Sequence, residues 1–515
     1  MNNLLSWESF LALILGSLFG AVFGSIPGLT ATLALSLFVP LALFLDPSLV
    51  LPAVIGISTA AIFAGDIGSI TVKIPGTAAS AAYSDEINRM GKGSIAYAMG
   101  VATLPSAVGA MVGVVILMIG AGLLAQFAKQ FSSFEYFWLA VLGLVAGIFA
   151  TQGKLIKGAL SLGIGVLIST VGLDPTLGYA RFSFGSPNML AGINYVVALI
   201  GLFGISELLE QAYKGVLKTE AVVSTDDMRA QRRKVQHDYW VRPSLLMLRE
   251  RGAMMRASLV GTGVGFLPGA GSDLAAWLSS SLERMRTRKA QMTSAEVTRQ
   301  EETVVLAGTA SNNAAVAGAW IPAMALGIPG DTLTAIVLGV FLIAGITPGP
   351  QLFTENRGLV NQIYLAFAVA SVVIMPIMGL LAAYGAGYIT RIPFRLLMGF
   401  ILGLTVIGAY AINNNPFDIW VMLALGAFGF VLKRGGFPLA QVVLGMVLGP
   451  LLEQNFMVSV IKVHWNFASF FERPVALILM LATLLIIVFG SRMNHLYQKS
   501  IQAPAAGTDV PTGSV

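Results

Sequence analysis

Residues 257–283 read ASLVGTGVGFLPGAGSDLAAWLSSSLE and lie between two basic loops. Before them comes 212–256, with Lys214, Lys218, Arg229, Arg232, Arg233, Lys234, Arg242, Arg249, Arg251 and Arg256. After them comes 284–302, with Arg284, Arg286, Arg288, Lys289 and Arg299. Short basic loops stay on the cytoplasmic face of a membrane. Two full crossings of a roughly 30 Å hydrocarbon core need about 40 helical residues, and this stretch has 27. Leu267-Pro268-Gly269-Ala270-Gly271 in its middle breaks a helix. Length, charge and break together predict a hairpin that enters and leaves on the cytoplasmic side.

The rest of the chain fits a membrane setting. Of 515 residues, 56% are hydrophobic and only 11% charged, against roughly 25% charged in soluble domains. Glycine is abundant, at 57, as where helices pack closely or break within a bilayer. There is no cysteine, which excludes disulfides, thiolate metal sites and Cys nucleophiles. The N-terminus, Met1-Asn2-Asn3-Leu4-Leu5, has no basic region ahead of its apolar run, so that run reads as a retained element.

A second hairpin is predicted over 9–45, broken at Ile26-Pro27-Gly28 and flanked by Glu8 and Asp46 with no Lys or Arg, so it enters from outside. Five crossings follow in the first half, at 49–83 (broken), 95–127, 134–151, 155–173 and 190–211. Six follow in the second, at 303–346 (broken), 360–383, 396–412, 418–432, 436–452 and 474–490. Of 31 basic residues, this topology puts only Lys129, Arg181, Arg357, Lys462 and Arg473 outside and leaves Lys73 in the membrane; the other 25 are inside. The expected fold is an all-α integral membrane protein of about 11 crossings plus two re-entrant hairpins. Its divisions are a first half at 1–211, a basic cytoplasmic linker at 212–256, an inverted second half at 257–499 and a disordered tail at 500–515.

The halves also match as sequence. Gly20-Ala-Val-Phe-Gly24-Ser-Ile-Pro27-Gly28 aligns with Gly261-Thr-Gly-Val-Gly265-Phe-Leu-Pro268-Gly269 at an offset of 241. Ile74-Pro75-Gly76-Thr77 aligns with Ile328-Pro329-Gly330-Asp331 at 254, the longer 284–302 loop absorbing the difference. Repeated motifs with opposite flanking charge predict an inverted-topology repeat. Backbone groups freed at such breaks must lie in protein or a watery cavity, and the helix N-termini there suit anionic groups. Discontinuous helices at matching positions of two halves point to a transporter's midplane site.

The candidate substrate-binding residues are therefore Ser25, Pro27, Gly28, Thr30, Lys73, Pro75, Gly76 and Thr77 in the first half. In the second they are Pro268, Gly269, Gly271, Ser272, Asn312, Asn313, Pro329, Gly330 and Thr332. Asp66, Asp273 and Asp331, ionisable at membrane depth, are candidates for ion coupling, although a carboxylate at a helix start can also be a cap. Ser311-Asn312-Asn313 offers oxygens for Na⁺, and three consecutive polar residues in an apolar run are costly without partners. Lys73 reads equally as a site residue or as a snorkelling or Asp66-paired one. His237, His464 and His495 are isolated, and no HExxH or GxSxG occurs, so no enzyme is expected. A basic loop between membrane halves accounts for the positive charge without nucleic acid.

Five motifs resemble the large membrane subunit of tripartite tricarboxylate transporters. They are Gly24-Ser-Ile-Pro-Gly-Leu29, Gly68-Ser-Ile-Thr-Val-Lys-Ile-Pro-Gly76, Gly265-Phe-Leu-Pro-Gly-Ala-Gly271, Asn312-Asn-Ala-Ala315 and Ile321-Pro-Ala-Met-Ala-Leu-Gly-Ile-Pro-Gly330, with Pro348-Gly349-Pro350 also fitting. The charge pattern gives a periplasmic N-terminus and a cytoplasmic C-terminus, and the resemblance implies a bacterial inner-membrane protein. It also implies import of an organic carboxylate driven by Na⁺ or H⁺ and no bound cofactor. Its partners would be a small membrane subunit and a periplasmic solute-binding protein. Lys73 departs from the pattern, where an Asn-type residue is usual, and Asp85-Glu86 stands where Asp-Gly is common. The other readings are a TRAP-type large subunit, with the same hairpin logic, and an uncoupled channel or scaffold.

Overall fold

The structure, a computed structural model, describes residues 6–26, 29–151, 154–214, 235–269, 271–288, 292–389 and 394–502. Pro27 and Gly28, the middle of the linker and the far tail lie outside these. Nearly everything described is helical, and seven helices are long and apolar enough to cross a membrane. Shorter apolar helices include Ala31–Ala42, Ser133–Phe149, Leu155–Ser169 and Thr332–Ile343.

The first half opens with α1 (Trp7–Ser25) and α2 (Ala31–Ala42), the two arms of the expected outer hairpin. Ser6 caps α1 and Thr30 caps α2, its hydroxyl accepting from Leu33 N at 3.1 Å. Then come α3 (Pro47–Val72), α4 (Ser84–Gly93), α5 (Ile95–Ala128), α6 (Ser133–Phe149) and α7 (Leu155–Ser169). The last helix, α8 (195–214), passes through a π turn at Ile200–Ile205.

After α9 (Arg242–Arg249) come α10 (Arg251–Phe266) and α11 (Gly271–Thr287), the two arms of the expected inner hairpin. α12 (Ser294–Leu326) and α13 (Thr332–Ile343) are the broken pair. Thr293 with Glu296 boxes the start of α12, and Asp331 with Thr334 boxes that of α13. The rest are α14 (357–389), α15 (Phe394–Asn413), α16 (Pro416–Arg434), α17 (Leu439–Lys462) and α18 (Pro474–Gln502).

Three helix groups make the body. α1, α3, α5, α10 and α12 form the central one; α6, α7, α17 and α18 form a second; α8, α15 and α16 a third. Every residue of α12 from Thr303 to Leu326 is buried. A helix carrying Ser311, Asn312 and Asn313 is therefore shielded from lipid by protein.

Backbone-to-backbone contact holds the centre. A Cβ on Gly20 or Gly24 of α1 would run into the carbonyls of Ile57 and Ala61 on α3. A Cβ on Gly261 or Gly265 of α10 would meet those of Ser311 and Ala315 on α12. Only glycine permits this approach. The breaks use the same device: a Cβ on Gly76 would lie 2.5 Å from Gly24 O, and one on Gly330 2.6 Å from Gly265 O.

Three features depart from the sequence reading. The crossing expected at 49–83 is helical only to Val72, with a short 3-10 turn at Ser80–Tyr83 after the break; the amphipathic α4 follows, with Asp85, Glu86, Arg89 and Lys92. Such charge density is too costly for hydrocarbon, and Arg284 Nη2 instead reaches Glu86 at 2.7 Å and Ala82 O at 3.0 Å. A small antiparallel ladder pairs β1 (Gly172–Leu173) with β2 (Ala180–Arg181), where 155–173 was expected to be helical to its end. The described part of the linker is docked. Tyr239 is fully buried and donates to Pro376 O at 2.7 Å, Arg242 covers the Tyr97 ring, and Arg249 reaches Glu302 at 2.9 Å.

Gly24→Ala and Gly265→Ala should each cost about 1–3 kcal/mol by overpacking, visible as a lower Tm of the purified protein in detergent. Gly263, one turn-face away with nothing within 4 Å of its Cβ position, is the control. Gly263→Ala should be neutral or gain up to about 1 kcal/mol from helix propensity. Equal losses at Gly263 and Gly265 would remove the close-contact explanation.

Candidate functional site

Three helix N-termini converge on one cavity of about 160 Å³. Thr30, Ala31 and Thr32 come from the start of α2, Gly271, Ser272 and Asp273 from α11, and Asp331, Thr332 and Leu333 from α13. Ile62 of α3, Thr77 and Ala78 of the break and Asn312 of α12 complete the wall. Thr30, Ala78 and Asp273 are exposed at its open side, whereas Ser272, Asn312 and Asp331 are buried. Among the described residues, no Lys, Arg or His lines it.

Hydrogen bonds across the breaks fix the wall. Asp273 Oδ1 accepts from Ala79 N at 3.0 Å, and Trp277 Nε1 donates to Ala78 O at 3.0 Å, so α11 holds the 77–79 segment. Gly269 N donates to Gly330 O at 2.8 Å, seating the inner hairpin tip on the α12–α13 break. Gly76 N donates to Gly65 O at 3.0 Å, closing the first-half break onto α3. Asp331 Oδ1 accepts from Thr334 N and Oγ1, both at 2.8 Å, so this carboxylate caps α13 as well as facing the cavity.

Behind the wall runs a buried polar chain. Asp66 is 2% exposed, and its Oδ1 accepts from the Tyr83 hydroxyl at 3.0 Å. Asn312 Oδ1 has no hydrogen-bond partner, and neither has Asn313 Oδ1, although Asn313 Nδ2 reaches Ser106 Oγ at 2.5 Å. Ser311 is satisfied by Ser279 Oγ at 2.8 Å and Ala275 O at 3.0 Å.

Of the residues singled out from sequence, the cavity gathers Thr30, Thr77, Gly271, Ser272, Asn312 and Thr332 with Asp273 and Asp331. Pro75, Gly76, Pro268, Gly269, Pro329 and Gly330 belong to the packed breaks instead of the lining. Ser25 bonds its own helix at Val22 O, and Asp66 and Asn313 lie outside the lining. Among the described residues no cluster of three His, Asp or Glu side chains is arranged for a metal ion. Sequence reasoning missed Tyr83 and the lining at Ala31, Ile62, Ala78 and Leu333, since apolar and backbone lining leaves no chemical signal.

Lys73 is placed elsewhere. Its Nζ pairs with Asp85 Oδ1 at 2.8 Å on the surface, not with Asp66, and its side chain is 62% exposed. Its backbone ends α3 in the left-handed conformation, φ 60°, the position that Gly327 holds after α12 with φ 69° at the same offset of 254. The Lys73 ammonium, hydrogen-bonded to Asp85, holds that carboxyl below the ordinary carboxylate range.

Interrupted helices buried around a small polar cavity, in a body apolar enough for many crossings, define a multi-pass membrane transport protein. The chain belongs to the tripartite tricarboxylate transporter TctA family, whose model matches residues 10–444. It is thus the large subunit of a tripartite tricarboxylate transporter, a system completed by other subunits and a binding protein. An Agrobacterium vitis protein described as the uncharacterized 52.8 kDa protein in the TAR-I ttuC' 3' region is 30% identical over 486 residues, 93% of this chain and 92% of its own. A second from the same organism, the uncharacterized protein in the TAR-II ttuC' 3' region, is 33% identical over 220 residues, 42% of this chain and 87% of its own. No solved structure matches the chain significantly.

Lys73→Gly should leave stability unchanged or raise it by about 1 kcal/mol. It relieves a left-handed L-residue and loses an exposed pair worth roughly 0–1 kcal/mol. Since the folded-state pKa of Asp85 is depressed, the pair's contribution is present above the carboxylate range and lost as pH falls through it. The Tm difference between wild type and Asp85→Asn should therefore vanish on acidification; a difference that persists at low pH contradicts the pairing.

Proposed function

We propose that this subunit is the permease of an ion-gradient-driven importer of tricarboxylates or related organic carboxylates in a bacterial inner membrane. The observation that carries it is the convergence of three helix N-termini on one cavity inside an apolar body. Each N-terminus offers unpaired N–H groups and roughly half a positive charge, a setting suited to carboxylate oxygens. The hydroxyls of Thr30, Thr77, Ser272 and Thr332 supply further donors. A small membrane subunit and a periplasmic solute-binding protein complete the system, and Na⁺ or H⁺ drives it.

The two halves are read as an inverted repeat, with the N-terminus periplasmic and the C-terminus cytoplasmic. Supporting this, the glycine contacts Gly24–Ala61 and Gly265–Ala315, and Gly76–Gly24 and Gly330–Gly265, recur at the offsets 241 and 254. The halves are taken as 1–211 and 257–499, joined by 212–256. Alternating access by motion of the hairpin-bearing group against the other helices follows by analogy with double-hairpin transporters.

The test is uptake of labelled citrate and smaller carboxylates into proteoliposomes holding both membrane subunits, with the binding protein added. Thr332→Val and Thr77→Val should each raise the half-saturating concentration about tenfold, the worth of one lost hydrogen bond, while Lys73→Asn leaves it unchanged. Uptake that is indifferent to both Na⁺ and pH gradients would favour a channel and sink the coupled reading.

A further inference from the structure

The inner hairpin carries more positive charge at the end away from its tip than its own acids neutralise. Arg251 and Arg256 stand in the first two turns of α10, Arg286 in the last turn of α11 and Arg288 just past it. Arg256 is paired: Glu283, 5% exposed, accepts from its Nε at 3.0 Å and its Nη2 at 2.8 Å on one oxygen. Arg284 is engaged by Glu86 and Ala82 O. Arg251, Arg286 and Arg288 are exposed, and none has an ion pair among the described residues.

Below these arginines two apolar clefts flank the hairpin. One, of about 600 Å³, lies between α10 and α11; Arg256 and Arg286 line its charged end, and Leu259, Val260, Leu282 and Met285 the rest. The other, of about 550 Å³, lies between α10 and α5, walled by Met111, Val115, Met255, Leu259 and by Trp240 of the docked linker. Leu259 is exposed and belongs to both, so it is the ridge that divides them. It sits three residues beyond Arg256, about 4.5 Å along the helix. The polar groups inside the first cleft are already used, since Ser279 donates to Ser311 Oγ at 2.8 Å and Glu283 holds Arg256. A polar solute finds no partner below the arginines, whereas hydrocarbon fits. Charge at one end and two apolar channels beneath it match a ligand with one anionic head and two tails. A transmembrane helix, about 10 Å across, needs one groove instead of two.

We propose that the inner hairpin binds one anionic phospholipid, its phosphate held by Arg256 and Arg286 and its acyl tails lodged on either side of Leu259. Basic pockets between membrane helices hold such headgroups, and the guanidinium fork matches phosphate oxygens. Arg251 and Arg288 add to the field around the headgroup. Bound there, the lipid ties α10 to α11 and to α5, far from the α11 start at Gly271 to Asp273 that walls the cavity. Headgroup charge in the membrane thereby steadies the hairpin. The leaflet is the cytoplasmic one under the orientation proposed above, but the site depends neither on that orientation nor on carboxylate transport.

Thermal unfolding of the purified full-length chain in neutral detergent, titrated with dioleoyl phosphatidylglycerol or dioleoyl phosphatidylcholine, tests this. Phosphatidylglycerol should raise Tm saturably and phosphatidylcholine should not. Arg286→Gln, at an exposed position, should weaken that response about tenfold. Leu259→Trp fills the clefts and keeps the charges, so it should abolish the response while leaving the lipid-free Tm near that of wild type. Lys154→Gln, which removes an exposed basic residue at the start of α7, should titrate as wild type does. Inorganic phosphate alone should have no effect, because it lacks the tails. Equal response to the two lipids, a full response in Arg286→Gln or Leu259→Trp, or a phosphate effect that matches the lipid each overturns the proposal. So does loss of a co-expressed small membrane subunit from Leu259→Trp with the lipid response intact, which gives this face to that subunit.

Discussion

A helix that stops inside a membrane leaves backbone N–H and C=O groups with no water to satisfy them, and the architecture of this subunit follows from where those groups go. Side chains pair some of them, as Asp273 and Trp277 do at 78–79; the rest are paired by other backbone, which comes close only where side chains are missing. Gly76 closes onto Gly65, Gly269 onto Gly330, and the flanking helices meet through Gly24 and Gly265. The same requirement draws α12 wholly into the interior, where its Ser and Asn residues meet protein instead of lipid. A polar cavity then becomes affordable at the one place where three interrupted helices begin.

The two halves solve this problem with unequal chemistry. Ser58 and Thr59, at the offset of 254 from Asn312 and Asn313, bond back to Val54 O and Ile55 O of their own helix at 2.8 Å. Their hydroxyls are short enough to be satisfied locally. The asparagines are longer; Asn313 reaches across to Ser106, and each keeps an oxygen without a partner. Asp66 likewise stands where the second half has Trp320, packed edge-on against Phe341 and Phe367. Shared backbone geometry thus carries a lopsided set of functional groups.

How much of this could be read beforehand depended on how local the signal was. Pro329-Gly330 and the Thr293 and Asp331 caps act over a few residues, so the α12–α13 break was legible. The segment after residue 76 was not: the crossing at 49–83 was expected to resume after its break, but the helix stops at Val72 and only the short turn Ser80–Tyr83 follows before α4. Lys73 was misleading for a different reason. A left-handed helix end has no side-chain signature, although the match with Gly327 would have identified it. The cavity was half legible, because hydroxyls and carboxylates announce themselves while Ala31, Ala78 and Leu333 line it as ordinary residues. Tyr83 gave no sign of its partnership with Asp66, which depends on a chain fold of 17 residues that no periodicity encodes.

The glycine contacts also decide what the surrounding lipid can do. Where two backbones touch, no acyl chain can wedge between them, so the α1–α3 and α10–α12 pairs keep a fixed width. Bilayers differ by a few Å in thickness, and that variation falls on helices that face the lipid. α5 is one of these, with 34 residues and exposed Met118, Ile119, Leu123 and Phe127. At about 50 Å it exceeds the hydrocarbon core and meets a thinner bilayer by tilting. Membrane thickness acts on the periphery of the subunit, while the cavity between the interrupted helices is insulated from it.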